Sequence, residues 1–566
     1  MKRTLIPALG LVLGLAACGD DPADLADPPE LVSLTPAEGT AGTEVRIDGT
    51  GFEAGAAVRF DDLESPSVQL DGGALFAIAP AGLTAGTVYD VAVSNPGSGD
   101  AVLEAAFTAV PPVISRVNGV TKPTGLQGMT IIIEGASFGD DPAVADGHVY
   151  FETSGGTVLE AAIADAVNDW TNEFIVTSVP QGVSDTSWLW VETATGASDT
   201  IEFRLIQSGT FSPSLINWTT TTPLPQPLQG LGAVFVPVED GATPANYVFA
   251  VAGADTQNVA TDVIFRATVE QSGALGAAWA PLTTLPEARA YHATAAATAF
   301  TAVLDTTTTA AYLYVIGGRD AAGAVSSTVF LGHVDLAGEV TGWSSTEPLP
   351  VALHSADAAL FRGFVYVTGG ADGDDVPVPT TYRAAINDDG TLGTWEELDA
   401  LPNPTTYHSF VNFGPFLYVV GGDSAATPVV QTATSTTELP NVYLGRINLR
   451  NGDLTDAGWT ATAQMAKGRS KHSTIFAGGA LLATSGVYAG QPGSSENTAG
   501  DLLSDGAVES WVGATGAETI DVELGYSLYN QAAVTFIDAD GAGHVLVLGG
   551  AKREVEGEPS AEVVYY

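Results

Sequence analysis

The sequence predicts an all-β protein in which small sandwiches precede a repeating array of short sheets. Three observations carry that prediction. A short apolar strand stopped by glycine recurs through the C-terminal two thirds, as in Leu313-Tyr314-Val315-Ile316-Gly317-Gly318. A tryptophan recurs with the same count, at Trp218, Trp279, Trp343, Trp395, Trp459 and Trp511. Between residues 31 and 207, apolar and polar positions alternate within short runs bounded by turn residues, as in half-buried strands.

At the N-terminus, Lys2 and Arg3 precede an apolar run from Leu5 to Ala17. It is too short to span a bilayer and ends in small residues, the pattern of a targeting segment over residues 1–18. Leu15-Ala16-Ala17-Cys18 resembles the bacterial lipobox, which implies that Cys18 becomes the lipidated first residue of the mature chain. Cys18 is the single cysteine in the sequence, as an anchor requires and a disulfide does not permit. The resemblance implies a lipid-anchored protein of the bacterial cell envelope that meets the membrane only through its acyl chains. Gly19 in place of an aspartate directs the expectation to the outer membrane or cell surface. Residues 19–30 form an acidic tether of Asp, Ala and Pro with little to bury.

Residues 31–110 hold compact strands such as Glu44-Val45-Arg46-Ile47 and Tyr89-Asp90-Val91-Ala92-Val93, the makings of a small β-sandwich. Through Pro36, Gly39, Gly42-Thr43, Gly49, Gly51-Phe52, Pro80 and Gly86 the segment resembles the IPT/TIG family, which implies an immunoglobulin-like fold. Residues 111–207 repeat the scheme with Gly128-Met129-Thr130, Gly135, Phe138-Gly139 and Trp188-Leu189-Trp190-Val191, plus an insertion around Asp140 to Gly147. The expectation is a stalk of two immunoglobulin-like sandwiches.

Residues 208–566 carry the repeats, with strand ends at Ala252-Gly253, Gly317-Gly318, Gly369-Gly370, Gly421-Gly422, Ser485-Gly486 and Gly549-Gly550. A repeat of about 50 to 65 residues indicates a ring or solenoid built from one supersecondary unit. Beyond the tryptophans lie Leu224, Leu285, Leu349, Leu401 and Met465, and then Leu231, His292, His354, His408 and His472, the third repeat running two residues short. These markers resemble the kelch repeat, which implies one four-stranded propeller blade per copy, with an inner strand after the His and an outer strand bearing the Trp. Trp218 precedes every glycine pair, and only one strand-like segment follows Gly550. The expectation is therefore a six-bladed kelch-type propeller closed by the Trp218 strand beside the C-terminus, which removes an exposed sheet edge.

Charge bounds the partners. Against 66 Asp and Glu stand 19 Lys and Arg, a formal charge of −47 spread along the 566 residues. Phosphate backbones and anionic lipid surfaces are held by basic side chains, so nucleic acid is excluded as a partner and unaided membrane adsorption is disfavoured.

Candidate chemistry gathers where the repeats bring loops together. His292, His354, His408 and His472 occupy similar places before inner strands; imidazoles there could take a transition metal, although a blade's separation is too wide for one ion. The kelch resemblance implies instead that this His bonds backbone between blades. Arg289, Arg319, Arg469 and Lys471 are expected on the same face, where arginines clamp carboxylates. Asp320, Asp372 and Asp423 follow the glycine pairs and complete the candidate ligand-binding set. Calcium is the one cofactor suggested, by the acidic turns holding Asp372 and Asp374, and Asp538 and Asp540. Galactose oxidase-like chemistry needs a cysteine beyond the lipobox, and no phosphate-cradling loop, zinc spacing or nucleophile elbow appears. The sequence thus predicts a non-catalytic surface binding or adhesion module for extracellular protein or polysaccharide. The alternatives are a glycan-active enzyme at the propeller mouth and a structural envelope component.

Overall fold

The structure, a computed structural model, describes residues 28–118, 121–125, 127–163, 165, 169–205, 218–238, 245–270, 272–298, 308–425, 437–449, 451–477, 480–488, 497–503, 505–512, 528–537, 543–552 and 558–565. Every named element is a strand except one helical turn at Pro142–Ala145, so the chain is all-β as expected. Cys18, Asp538 and Asp540 lie outside the described residues.

Residues 30–109 form two facing sheets. One runs Glu30–Thr35, Glu44–Thr50, Ala74–Ile78, Val68–Asp71; the other runs Glu38–Gly39, Asp100–Ala109, Val88–Ser94, Ala57–Phe60, Leu63–Glu64. Alternation buries Val45, Ile47, Val58, Phe60, Val91 and Phe107 between them. A second sandwich pairs Val113–Val117, Thr130–Ala136 and Phe174–Ser178 against a sheet of Thr124–Gly125, Ile201–Leu205, Thr186–Thr193, His148–Thr153 and Val158–Glu160. Ile131, Ile133, Phe151, Leu189 and Phe203 fill its core around Trp170.

The insertion is the clamp between the two sandwiches. The Gly42 carbonyl accepts the N–H groups of Asp140 at 2.8 Å and Asp141 at 3.0 Å, and the Glu44 N–H donates to Asp140 Oδ2 at 2.9 Å. Gly42 sits at φ +84°, and a Cβ there would lie 2.5 Å from the Asp141 carbonyl oxygen. Only glycine fits this approach.

Six four-stranded antiparallel sheets follow. Their first strands are Gly232–Val238, Ala293–Thr298, Asp357–Phe361, Ser409–Phe413, Ser473–Ala477 and Ala532–Ile537. Each packs against the next, and the sixth packs against the first, so the sheets form a closed ring. In the sixth sheet the outermost strand is Thr219–Thr220, which pairs with Val563–Tyr565 and joins the two ends of the ring.

The repeated aromatic residues bind neighbouring sheets together. The indole N–H groups of Trp279, Trp343, Trp395, Trp459 and Trp511 donate to the carbonyls of Thr222, Thr283, Glu347, Asp399 and Ala463, each two residues before the Leu or Met of the preceding repeat. The hydroxyls of Tyr314, Tyr366 and Tyr418 reach forward to the carbonyls of Gly390, Gly452 and Gly506, each at 2.7 Å. The first residue of every glycine pair is left-handed, from Gly317 at φ +63° to Ala252 at φ +51° and Ser485 at φ +59°, so the two copies without glycine keep the turn under local strain.

The expected free stalk is corrected by the structure. The second sandwich is seated on the ring, on the face formed by the hairpins that leave the first strands. Ile132 and Val176 join one core with Phe361, Phe413 and Phe416, and Phe174 meets Phe361 at 5.7 Å. Arg446 forms an ion pair with Asp169, which is only 2% exposed. Gly414 is at φ +53°, and a Cβ there would overlap Ile132 Cδ1 at 1.9 Å. Apolar side chains on an outward sheet face are what draw the two bodies together.

Candidate functional site

The opposite face of the ring is organised by six residues in the left-handed region: Gly230, Tyr291, Ser355, Tyr407, Lys471 and Asn530, all with φ between +50° and +56°. One stands two residues before each first strand, and their backbones form a closed cycle. The N–H of Tyr291 donates to the Gly230 carbonyl at 2.8 Å, Ser355 to Tyr291 at 2.8 Å, Tyr407 to Ser355 at 3.0 Å, Lys471 to Tyr407 at 2.8 Å, Asn530 to Lys471 at 2.9 Å and Gly230 to Asn530 at 2.9 Å. Left-handed geometry at a non-glycine residue is costly, and it persists here because the six bonds require one another.

The side chains of that cycle crown a central cavity of about 270 Å³, whose wall includes Thr294, Ala356, Asp357, Val411, His472 and Gln531. Tyr291 leans over Gly230, where a Cβ would lie 2.5 Å from its ring, and its hydroxyl donates to Asn258 Oδ1 at 3.2 Å. Tyr407 packs edge-on to Tyr291 at 6.3 Å, and Lys471 Nζ lies 4.7 Å from the Tyr407 ring centroid. Burial lowers the Lys471 ammonium to about 8, against the opposing pull of Asp423 and Glu438. Asp357 accepts the N–H of Phe410 at 2.8 Å and of Ala358 at 2.9 Å, and burial raises its carboxyl to about 6.

The histidines divide. His292, His408 and His472 each follow a left-handed residue and pack against the second glycine of a pair, Gly318, Gly422 and Gly486 respectively. Leu231, Ala356 and Gln531 take that place in the other three sheets. His354 is therefore not the fourth equivalent: it stands two residues earlier, paired with Ala371. The short spacing in the third repeat misaligned it. Burial drives His292 down to about 3 and His408 to about 4, and His472 well below its ordinary value, so all three stay neutral between sheets. Backbone at Val251 and Thr368 approaches His292 and His408, but outside hydrogen-bonding geometry, and no ring nitrogen of the three has a partner among the described residues. No three His, Cys, Asp or Glu side chains cluster as a metal site among the described residues.

The expected cationic rim is also corrected. Arg289 is 1% exposed and donates to Glu287 Oε2 at 2.7 Å and Ser326 Oγ at 3.0 Å. Arg469 is equally buried, donating to the Ala483 carbonyl at 3.0 Å and stacked over Tyr488 at 4.6 Å. Both are turned inward, bracing one sheet against the next. Arg319 does reach the rim: it pairs with Asp375, and its Nη2 stands 3.0 Å from His354 Nε2, which lies 2.9 Å from Asp375 Oδ1. Burial, with the Arg319 charge second, lowers His354 to about 4.

Asp320 and Asp372 use Oδ1 to accept two backbone N–H groups of their own turns, from Ala322 and Ala324 and from Asp374 and Val376. Asp423 is fully buried and accepts the Ala425 N–H. These turns are built by side-chain capping. Tyr291, Ser355, Tyr407 and Asn530 escaped the sequence reading, although Tyr291-His292, Tyr407-His408 and Lys471-His472 show one recurrent position.

No family model and no curated protein matches this sequence. Among solved structures, that of YjhT aligns with 61% of this chain and 96% of its own length, at 14% identity and a TM-score of 0.42.

Proposed function

We propose that this chain is a lipid-anchored surface protein whose ring, a kelch-type propeller, is a non-catalytic binding head carried on two IPT/TIG-like sandwiches. One observation carries the reading. The second sandwich occupies one face of the ring, so the Tyr/Asn/Lys crown and the Arg319–His354–Asp375 cluster lie on the face turned away from the N-terminal side of the molecule. A rigid scaffold that presents polar and aromatic groups on one free face suits recognition of an extracellular protein or polysaccharide.

Two measurements test it. The chain from residue 28 onward is screened on glycan and surface-protein arrays, with a turnover assay on every bound glycan, beside the rim variant Asn258→Ala/Arg319→Ala/Asp375→Ala. Binding that the rim variant loses, without turnover, is the expected result; turnover would make the protein an enzyme, and binding indifferent to the variant would move the site elsewhere. For the anchor, labelled palmitate should enter the wild type and not Cys18→Ala, and label on the variant refutes lipidation.

A further inference from the structure

The second sandwich bears a surface that the reading above does not use. On the outer side of its larger sheet, Tyr150 faces Trp190 across the strands, with ring centroids 5.3 Å apart, and His148 stacks on Tyr150 at 5.7 Å. Trp188 is two residues along the same strand and 38% exposed. Strand alternation sends Ser187, Leu189, Val191, Val149 and Phe151 inward and leaves these aromatic side chains outward. Here, water would favour polar residues on a bare sheet face.

Carboxylates frame the aromatic patch. Glu152 and Glu202 flank Trp188 on the two neighbouring strands, Glu192 stands opposite His148, and Glu160 lies opposite Tyr150. Asp146 approaches His148 at 3.5 Å. The cations nearby are already matched: Arg204 pairs with Glu202 at 2.8 Å and His148 with Glu160 at 2.7 Å. Glu152 and Glu192 remain exposed on either side of the two tryptophans.

We propose that this face docks an extended segment of a partner polypeptide carrying arginine or lysine at alternate positions. Aromatic faces attract guanidinium and ammonium groups, and carboxylates beside them supply the opposite charge. Trp188, Trp190 and Glu192 repeat every second residue, about 7 Å apart along the strand, which is the spacing of same-side residues in an extended peptide. The net acidity of the patch rejects an acidic partner. This surface is independent of the ring mouth, and either can fail without the other.

The test is titration calorimetry on the chain from residue 28 onward, at low and at physiological salt. The probes are an octapeptide of alternating arginine and threonine, the same composition with the arginines contiguous, and a linear glucose hexasaccharide. The alternating peptide should bind more tightly than the contiguous one. Trp188→Ala/Trp190→Ala and, separately, Glu152→Gln/Glu192→Gln should each weaken it by about tenfold, with Glu104→Gln on the first sandwich unchanged. The glutamine variant keeps the aromatic surface intact, so a folding defect in the alanine variant does not blunt the test. Equal affinity for both peptides, binding unaffected by either double variant, or capture of the hexasaccharide by the tryptophans in place of the peptide would overturn the proposal.

Discussion

The second sandwich has two outward faces, and among the described residues only one is covered. From Thr130–Ala136 and Phe174–Ser178, Ile132, Phe174 and Val176 point out and meet the ring. From the opposite sheet, Tyr150, Trp188 and Trp190 point out, Tyr150 against Trp190 and His148, with Glu152, Glu160 and Glu202 on the neighbouring strands. Outward apolar positions in a strand mark a contact; on one side the chain itself supplies it, and on the other the proposed partner segment would.

Two histidines, His148 on the bare face of the sandwich and His408 inside the ring, titrate with opposite sign. The Glu160 hydrogen bond raises His148 on the bare face, so its contribution is present below pH 6.5 and is lost as pH rises through its folded value. Burial lowers His408 to about 4 inside the ring, so the unfolded chain takes up a proton first and stability is lost as pH falls from 6.5 toward 4. By pH 4.5 each such histidine should cost on the order of 2 kcal/mol. The sequence supplies the control, because Leu231 holds the same place in the first sheet. His408→Leu should flatten the acid limb of the ring's calorimetric transition, while His148→Leu leaves it in place; equal slopes in both variants would break the distinction.

Asp169 tests the covered face. Removing the buried carboxylate takes the ion-pair partner from the Arg446 guanidinium beside Phe416 and leaves it only the more distant Asp165 and Asp505, at a cost of about 2 kcal/mol for a partly exposed charge. Asp169→Ala should separate the melting of sandwich and ring into two transitions by calorimetry. A single unshifted transition would mean that the ion pair holds nothing together.

A matched pair of truncations sharpens the comparison at smaller scale. Phe174→Ala removes a ring that packs on Phe361 and lies under Arg362 at 5.2 Å, and should cost about 2 kcal/mol in urea unfolding. Trp188→Ala removes a larger but bare side chain and should change stability by about 0.5 kcal/mol or less. Reversal of that order would show that the outer sheet is covered in solution, by a second copy or a segment outside the described residues.

The ring was legible because its markers do mechanical work at fixed intervals. Five of the six Trp, from Trp279 to Trp511, reach a carbonyl two residues before an apolar anchor, and the glycine pairs turn where a side chain would strike the next sheet. The role of the arginines was not legible, since Arg289 and Arg319 differ only in the hydrogen-bond partners the fold brings to them. His354 was misplaced because a two-residue deletion keeps the residue type while moving it off register. Docking of the second sandwich was hidden for another reason: Ile131-Ile132-Ile133 reads as one apolar strand, and nothing local says that the middle residue faces another body.

The last prediction asks whether the ring bears a charge that the bare face carries freely. Glu152 and Glu192 are exposed, whereas Asp357 sits on a first strand lining the central cavity, with two backbone N–H groups for partners. Its folded value of about 6 exceeds the ordinary 3.8, so its contribution is complete below pH 3.8 and is lost as pH rises through 6. Asp357→Asn removes the charge and keeps one oxygen for the Phe410 N–H, at the expense of the bond to Ala358. Solvent at the cavity wall screens part of the shift, and the lost bond offsets about 1 kcal/mol more, leaving a net gain of about 1 kcal/mol at pH 7.5 and a net loss of up to about 1 kcal/mol at pH 4. Unfolding at both values checks it. A variant destabilised at pH 7.5 would mean that the carboxylate is matched by a cation in solution, and the cavity would then be a cation site with Asp357 at its wall.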